Sequence, residues 1–470
     1  MIFGGMTTTA LPAPAAGDRL PATPRWWPDA GGVTAGVTLL IVTALWVGNG
    51  GVQQITSGGA AMVTAAGRLT GLWASDLLLL QVLLMSRIPM VERAFGQDRL
   101  ARWHRWTGFA SFWLMVAHIV LITAGYTGAD SPGLLGELWE MIWTYPGMLL
   151  ATAGTLALTM VVVTSIRVAR RRLRYEAWHL LHLYAYAGVG LALPHQLWTG
   201  ADFLASRAAT AYWWTLYAVS AGAVLAYRIG LPAWRSLRHR LVVDRVVPEG
   251  PGLTSVYLTG RDLGRLPVRA GQFFQWRFLD GPGWTRAHPY SLSATPYGHE
   301  LRITVKDLGD AGARIAALEP GTRALIEGPY GKLTGETYRG GPVVMLACGI
   351  GVTPLLSLLG ELPYAPGEAT LIYRARGEDE IAFRAELQWF AAERGVRVIY
   401  LLGRRADRPS WLPARSAEQG DAVALGRLAP WIAYSQVYVC GPEAWTKAAR
   451  TAAREAGVAP ENLHTELFSW

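Results

Sequence analysis

YEAWHLLHLYAYAGVGLALPH, residues 175–195, has the length and apolar content of a membrane-crossing helix, yet it carries three histidines, His179, His182 and His195. Ionisable side chains inside such a segment are costly in hydrocarbon, so they face a cavity, a partner or a ligand. A second apolar run over 103–126 carries His104 and His118, fourteen residues apart. In an ideal helix that separation is about 21 Å of rise and about 40° of turn, so the two share one face at two depths. His182 and His195 are separated by a rise of about 20 Å and His179 and His195 by about 24 Å, so the former matches better. Angle does not decide, because either pair lies about 140–160° apart on a straight helix. Gly188, Gly190 and Pro194 let the helix bend there.

Working outward, six apolar segments of spanning length lie near 33–53, 67–88, 103–126, 146–167, 177–198 and 211–231. The 470-residue chain has 21 Trp and only 16% charged residues, which places it among membrane proteins. Its net charge of +9 is concentrated in short clusters between apolar runs, which argues for helix orientation and against nucleic-acid binding. Arg87, Arg93, Arg99 and Arg102 mark one loop as cytoplasmic, and Arg167, Arg170, Arg171, Arg172 and Arg174 mark another. The stretch from Tyr126 to Tyr145 has Asp130, Glu137 and Glu140 and no Lys or Arg, which suits the outside. The expected location is therefore a cell membrane, with several passes, lipid as a partner and both termini in the cytoplasm. The third and fifth segments then run parallel, and one histidine from each meets at each depth. Two His–iron–His sites, holding two b-type haems, are expected. Cys348 and Cys440 are the only cysteines, which excludes a covalent C-x-x-C-H haem and a four-thiolate cluster.

After His239 the chain turns to short strands with Gly and Pro turns, such as LVVDRVV, SVYLTG and ELRITVKDL, the pattern of an antiparallel barrel. From about Pro342, VVMLACG, ATLIYRA, VRVIYLLG and QVYVCG are near-continuous apolar strands separated by helical patterns, the pattern of a parallel α/β sheet. In LACGIGVTPLLSLL, Gly349 and Gly351 allow a pyrophosphate to approach, with Thr353 expected as helix N-cap and Pro354 at the first helical position. Arg374 and Arg376 follow the second of these strands, where an NAD-specific site more often has an acidic residue, and Arg404 and Arg405 follow the third. Any of them suits a 2′-phosphate, so NADPH is expected, with NADH as the alternative.

The two paired histidines, and the tyrosine–glutamate Tyr175–Glu176 ahead of the fifth segment, resemble the ferric reductase and NADPH oxidase family. In that family the first ligand of this helix lies six residues after the glutamate, which is His182; the resemblance thus implies His104, His118, His182 and His195 as iron ligands. HPYSLSATP resembles the flavin motif of the ferredoxin-NADP reductase fold, implying that His288, Pro289, Tyr290 and Ser291 line FAD. VKDLGDAG resembles the second flavin segment, with Lys306, Gly309 and Gly312 at the pyrophosphate. Gly312 stands where the family has Ser or Thr, which leaves a backbone contact only. GPYG at 328–331, beginning with Gly328, resembles the turn that closes the flavin domain. Cys440, Gly441 and Pro442 resemble the family's Cys-Gly-Pro beside the nicotinamide; otherwise Cys440 is a small buried thiol. In the closing HTELFSW, Glu466 and Phe468 match the glutamate and the flavin-stacking aromatic, although Trp470 competes for that place. The catalytic set implied is Cys440, Phe468, Glu466 and Ser291.

The expected architecture is multidomain: a cytoplasmic tail over 1–32, an all-α six-helix transmembrane bundle over 33–235, an antiparallel β-barrel FAD domain over 236–339, and an α/β parallel-sheet NAD(P)-binding domain over 340–470. The expected activity carries electrons from NADPH through FAD and two haems to oxygen or ferric iron outside. A membrane-tethered flavoreductase without haem transfer is the alternative, and a haem-binding sensor or carrier lacks need of a hydride-transfer set.

Overall fold

The computed structural model describes residues 26–128, 133–170, 172–173, 175–307 and 309–468, so most of the expected N-terminal tail and the place of Trp470 lie outside the described residues. The chain divides into two compact units between Gly230 and Leu231.

The first unit is helical. Its long helices are α1 (Trp27–Gly48), α2 (Gly59–Met85), α3 (Gln97–Tyr126), α4 (Met148–Ser165), α5 (Tyr175–Trp198) and α6 (Arg207–Ala223). Glycines set the packing. A Cβ at Gly67 of α2 would stand 3.0 Å from Ile122 of α3, and one at Gly154 of α4 would stand 2.8 Å from the Gly188 carbonyl of α5. Small residues of this kind let apolar helices approach backbone to backbone, where hydrocarbon supplies no hydrophobic drive to associate. Ser206 caps α6 by accepting from Ala209 N at 3.1 Å, and the chain leaves the unit through a π-helical turn at Val224–Gly230.

Among the described residues, four stretches are long and apolar enough to cross a membrane: Gly59–Met85, Arg99–Tyr126, Met148–Ser165 and Arg207–His239. The apolar part of α1, Gly32–Gly48, is shorter. The 24-residue α5 is long enough, but its three histidines, Glu176 and Gln196 dilute its apolar content.

The second unit opens with α7 (Leu231–His239) and carries two three-stranded antiparallel sheets where a barrel was expected. In one, β1 (Val242–Gly250), β2 (Leu253–Thr259) and β5 (Glu300–Lys306) lie in the order β1-β2-β5; in the other, β3 (Phe273–Phe278), β4 (His288–Ser291) and β6 (Ala324–Tyr330) lie in the order β4-β3-β6. Single bridges, Val242 to Arg323 and Leu292 to Ile303, link them. β3 alternates between half-buried and buried positions, which sends Phe274, Trp276 and Phe278 into a shared core with Val256, Leu258 and Ile303.

The remainder is a five-stranded parallel sheet, ordered β11-β10-β7-β8-β9, from β7 (Val343–Cys348), β8 (Ala369–Ala375), β9 (Arg397–Leu402), β10 (Gln436–Pro442) and β11 (Leu463–Phe468). β7 and β8 are buried almost throughout because helices cover both faces. The helix that follows β7, α9 (Val352–Glu361), contributes Leu355, Leu358 and Leu359 to the core.

Candidate functional site

The four predicted histidines meet in two pairs. The rings of His104 on α3 and His182 on α5 have centroids 5.8 Å apart, and those of His118 and His195 are 6.4 Å apart. Two imidazoles bound to one metal ion at ordinary nitrogen–metal distances place their centroids about 6 Å apart. His182 and not the exposed His179 stands opposite His104.

Each ring is oriented by a partner on Nδ1. His118 Nδ1 lies 2.8 Å from Gly67 O, His195 Nδ1 lies 2.7 Å from Ala192 O, and His104 Nδ1 lies 3.3 Å from Gln81 O. A carbonyl oxygen only accepts, so these Nδ1 atoms carry the proton and Nε2 keeps its lone pair. His182 Nδ1 is 3.3 Å from Ser165 Oγ, and the Trp178 indole also points to that hydroxyl, at 3.4 Å. This is the arrangement that fixes tautomer and ring direction in metal-binding histidines. Among the described residues no group of three or more His, Cys, Asp or Glu converges as a metal site. Two protein ligands per site suit an iron whose equatorial positions are filled by a porphyrin.

Space for the His118 ring comes from α2. A Cβ at Gly71 would stand 2.4 Å from His118 Nδ1. Gly67 and Gly71, a small-x-x-x-small pair, thus serve the site twice, as acceptor and as gap. Sequence reading missed both, although the G-x-x-x-G spacing in an apolar run was a legible signal. Beside Gly67, Arg68 pairs with Asp202 at 2.5 Å and Asn49 donates to the same carboxylate at 2.6 Å.

In the second unit, β4 sets the predicted flavin residues along one edge. Phe274 pairs with Tyr290 and Phe273 with Ser291, and the His288 and Tyr290 rings stack with centroids 6.0 Å apart. Ser291 is buried and its Oγ has no hydrogen-bond partner, so the site holds an orphaned hydroxyl that a bound flavin's polar edge would satisfy. Burial pushes the Tyr290 phenol up to about 12, which keeps it neutral and able to donate. Lys306 ends β5 and lies 3.5 Å from Glu380.

The segment after it departs from expectation. Gly312 N donates to Gly309 O at 2.9 Å within the first turn of α8 (Asp310–Ala316), so that amide is already used. The glycine itself is required by packing: a Cβ there would stand 2.6 Å from Asp307 Cα. Gly309 holds a φ of 136°, and its N–H donates to Asp307 Oδ1 at 3.1 Å.

The nucleotide loop is a 3-10 turn, Gly349–Gly351, leading straight into α9 at Val352. Thr353 is therefore inside the helix and not its N-cap, and its hydroxyl donates back to Ile350 O at 2.9 Å. Pro354 falls in the first turn, two residues after the helix begins. Gly351 lies against the end of β10, where a Cβ would stand 2.3 Å from Cys440 O. Cys440 pairs with Ala347 on one side and Glu466 on the other, and Pro442 pairs with Phe468, which brings the Cys-Gly-Pro stretch and the chain's last strand together. Glu466 reaches the GPYG turn that begins at Gly328, since a Cβ at Gly331 would stand 2.8 Å from its Oε1. Burial, then the Glu466 charge, hold the Cys440 thiol well above its usual range. It is a neutral packing and contact group, not a thiolate.

Arg374 does not present itself to a phosphate. Its buried guanidinium donates to Gly403 O at 2.7 Å and Arg404 O at 3.0 Å, so it ties the ends of β8 and β9 together. Arg376 and Arg404, at those same ends, are exposed.

Residues 70–193 match the ferric reductase like transmembrane component, and residues 345–451 match the oxidoreductase NAD-binding domain. Ferredoxin--NADP reductase B of Sorangium cellulosum is 31% identical over 244 residues, covering 49% of this chain and 96% of that protein. The chain therefore belongs to the oxidoreductases in which a ferric reductase-like transmembrane component is fused to a FAD- and NAD(P)-binding module of the ferredoxin–NADP reductase family. A flavohemoprotein of Chromobacterium violaceum is 30% identical over 256 residues, which span 51% of this chain and 61% of that protein. The flavohem-like FAD/NAD-binding domain of nitric oxide dioxygenase from Vibrio cholerae O1 biovar El Tor aligns with a TM-score of 0.39 at 23% identity, over 49% of this chain and 99% of that one.

Proposed function

We propose that the protein is a transmembrane oxidoreductase that takes electrons from NADPH, with NADH as the other donor, and delivers them across the membrane to oxygen, giving superoxide, or to ferric iron. The observation that carries this reading is the orientation of the histidines: two facing pairs at two depths, with Nδ1 engaged throughout. His104 and His182 would hold one b-type haem, and His118 and His195 the other. Bound, FAD supplies hydride acceptance and haem supplies one-electron transfer, so a two-electron donor can serve a one-electron acceptor.

The chain's own residues bind, orient and exclude. His288, Pro289, Tyr290 and Ser291 would line the flavin, with Ser291 Oγ donating to it and Phe468 covering its ring. Lys306 would reach the pyrophosphate by leaving Glu380, beside Gly309. Gly349 and Gly351 admit the dinucleotide phosphates to the start of α9, and Cys440, Gly441 and Pro442 place the nicotinamide. Arg376 and Arg404 would receive a 2′-phosphate. Six helices cross the bilayer, and the arginine clusters hold both termini, the β-barrel and the nucleotide-binding domain in the cytoplasm.

The test is anaerobic addition of NADPH to the purified protein with its visible spectrum recorded, followed by air or a ferric chelate. Reduction of six-coordinate haem bands, and their reoxidation by either acceptor, is expected. A protein that oxidises NADPH with no haem band present overturns the reading in favour of a tethered flavoreductase.

A further inference from the structure

One buried ionisable group in the helical unit is used by none of this. Asp76 of α2 is fully buried, at 0% exposure. Its Oδ1 accepts from the Tyr212 hydroxyl of α6 at 2.5 Å. Its other polar neighbour is Thr38 of α1, whose hydroxyl donates to its own helix at Ala35 O, 2.9 Å away. Oδ2 accepts no hydrogen bond, and among the described residues no Lys, Arg or His is paired with this carboxyl. Asp202, also buried, has Arg68 against it. A carboxylate met only by neutral hydroxyls in a membrane interior is strongly disfavoured unless it binds a proton or faces a positive charge.

The residue before it belongs to a set of hydrogen bonds that ends beside His195. The preceding residue, Ser75, accepts from Gln196 Nε2 at 3.0 Å, and Gln196 Oε1 accepts from Tyr217 at 2.6 Å. Gln196 follows His195 directly. These side chains link α2, α5 and α6 beside His195, and Asp76 lies on α2 between Gly71, which faces His118, and Gln81, whose carbonyl faces His104.

We propose that Asp76 is a proton-binding site whose occupancy follows the charge at the His118–His195 pair. His118 and His195 would hold the haem that supplies the one-electron change; with the iron's charge lowered by one, Asp76 would take one proton from water, forming one O–H bond, and would release it when the charge is restored. Nothing else is oxidised or reduced. The chemical partner is the proton, and the consequence is that outward electron transfer is accompanied by local charge compensation. This rests on haem being held by that pair.

The test uses the full-length holoprotein in two measurements. In redox titrations followed by haem absorbance at a series of pH values, the wild type shows a midpoint potential that falls with pH, by up to about 59 mV per pH unit for one proton per electron. Asp76→Asn loses that slope and Asp76→Glu restores it. In reduced-minus-oxidised infrared spectra, a protonated-carboxyl carbonyl band grows on reduction, is missing in Asp76→Asn, and shifts in frequency in Tyr212→Phe, which keeps the acid and removes its donor. A slope and a band that none of these variants changes overturn the proposal. If the protein binds no haem, the parent reading fails on its own, and the pH dependence of the same band in the haem-free protein still decides whether Asp76 binds a proton.

Discussion

Gly71→Ala is the smallest change that separates a haem-binding bundle from a bundle of coincidentally facing histidines. The new methyl would stand 2.4 Å from His118 Nδ1, 2.8 Å from Cε1 and 2.9 Å from Cγ, where ordinary contact begins at 3.4 Å. The imidazole must retreat by about 1 Å, because α2 and α3 are already in backbone contact and cannot part cheaply. That retreat breaks the Nδ1 bond to Gly67 O, now 2.8 Å long, and turns Nε2 away from His195. Overpacking and the lost hydrogen bond together amount to about 2–4 kcal/mol. Disturbing a ligand's orienting partner costs about 10–100-fold in metal affinity. The assay is haem per polypeptide, by pyridine haemochrome against protein, after purification in detergent. Gly71→Ala should fall from two haems toward one and keep the inner site, whereas Gly190→Ala, where a Cβ meets nothing within 4 Å, should keep both. Two full haems with an unchanged spectrum in Gly71→Ala would refute the assignment of His118 as a ligand in this geometry.

Other outcomes follow from the same contacts. His182→Leu should lose the haem expected between His104 and His182 while His179→Leu keeps it, because His182 stands opposite His104. Arg376→Ala and Arg404→Ala should each raise KM for NADPH roughly tenfold and leave NADH unchanged, the loss expected for a charge-assisted hydrogen bond. Arg374→Leu should instead lower the melting temperature of the reductase module, since it strands buried carbonyls at a cost of about 3 kcal/mol. His464, held down to about 4 by burial, is neutral in the folded state. Its unfolded pKa is higher, so its contribution to stability is complete above pH 6.5 and is lost as pH falls from there toward 4, by at most about 3 kcal/mol. His464→Gln should flatten the stability profile across that window, as read by chemical denaturation.

The parts of this molecule legible in sequence were those with a period or a spacing. His104 and His118 share a helical face by their fourteen-residue interval, and the apolar runs of β7, β8 and β10 announce a parallel sheet because both faces are covered. The fifth helix was only half legible: rise favoured His182, but a straight helix gave no reason for His182 and His195 to serve one neighbour, and the Nδ1 bond to Ala192 O that holds the His195 ring is a tertiary detail. Arg374 and Arg376 look alike in sequence, two residues apart on a strand end. They differ because one points into the β8–β9 seam and the other into solvent. Thr353 and Pro354 mimic a helix start, but the 3-10 turn at Gly349–Gly351 leads into a helix that begins two residues earlier, at Val352. Gly312 reads as a lost hydroxyl until Asp307 is seen behind it. Asp76 stands out by its position in an apolar run, although its partner Tyr212 lies 136 residues away.

Transfer of electrons across the membrane through the two histidine pairs is measurable in reconstituted vesicles with a membrane-impermeant ferric chelate trapped inside and NADPH added outside. The wild type should reduce the trapped chelate and His118→Leu should not, with NADPH oxidation by the flavin module retained toward an added soluble acceptor. Reduction only of chelate on the same side as NADPH, or an unchanged rate in His118→Leu, would contradict it.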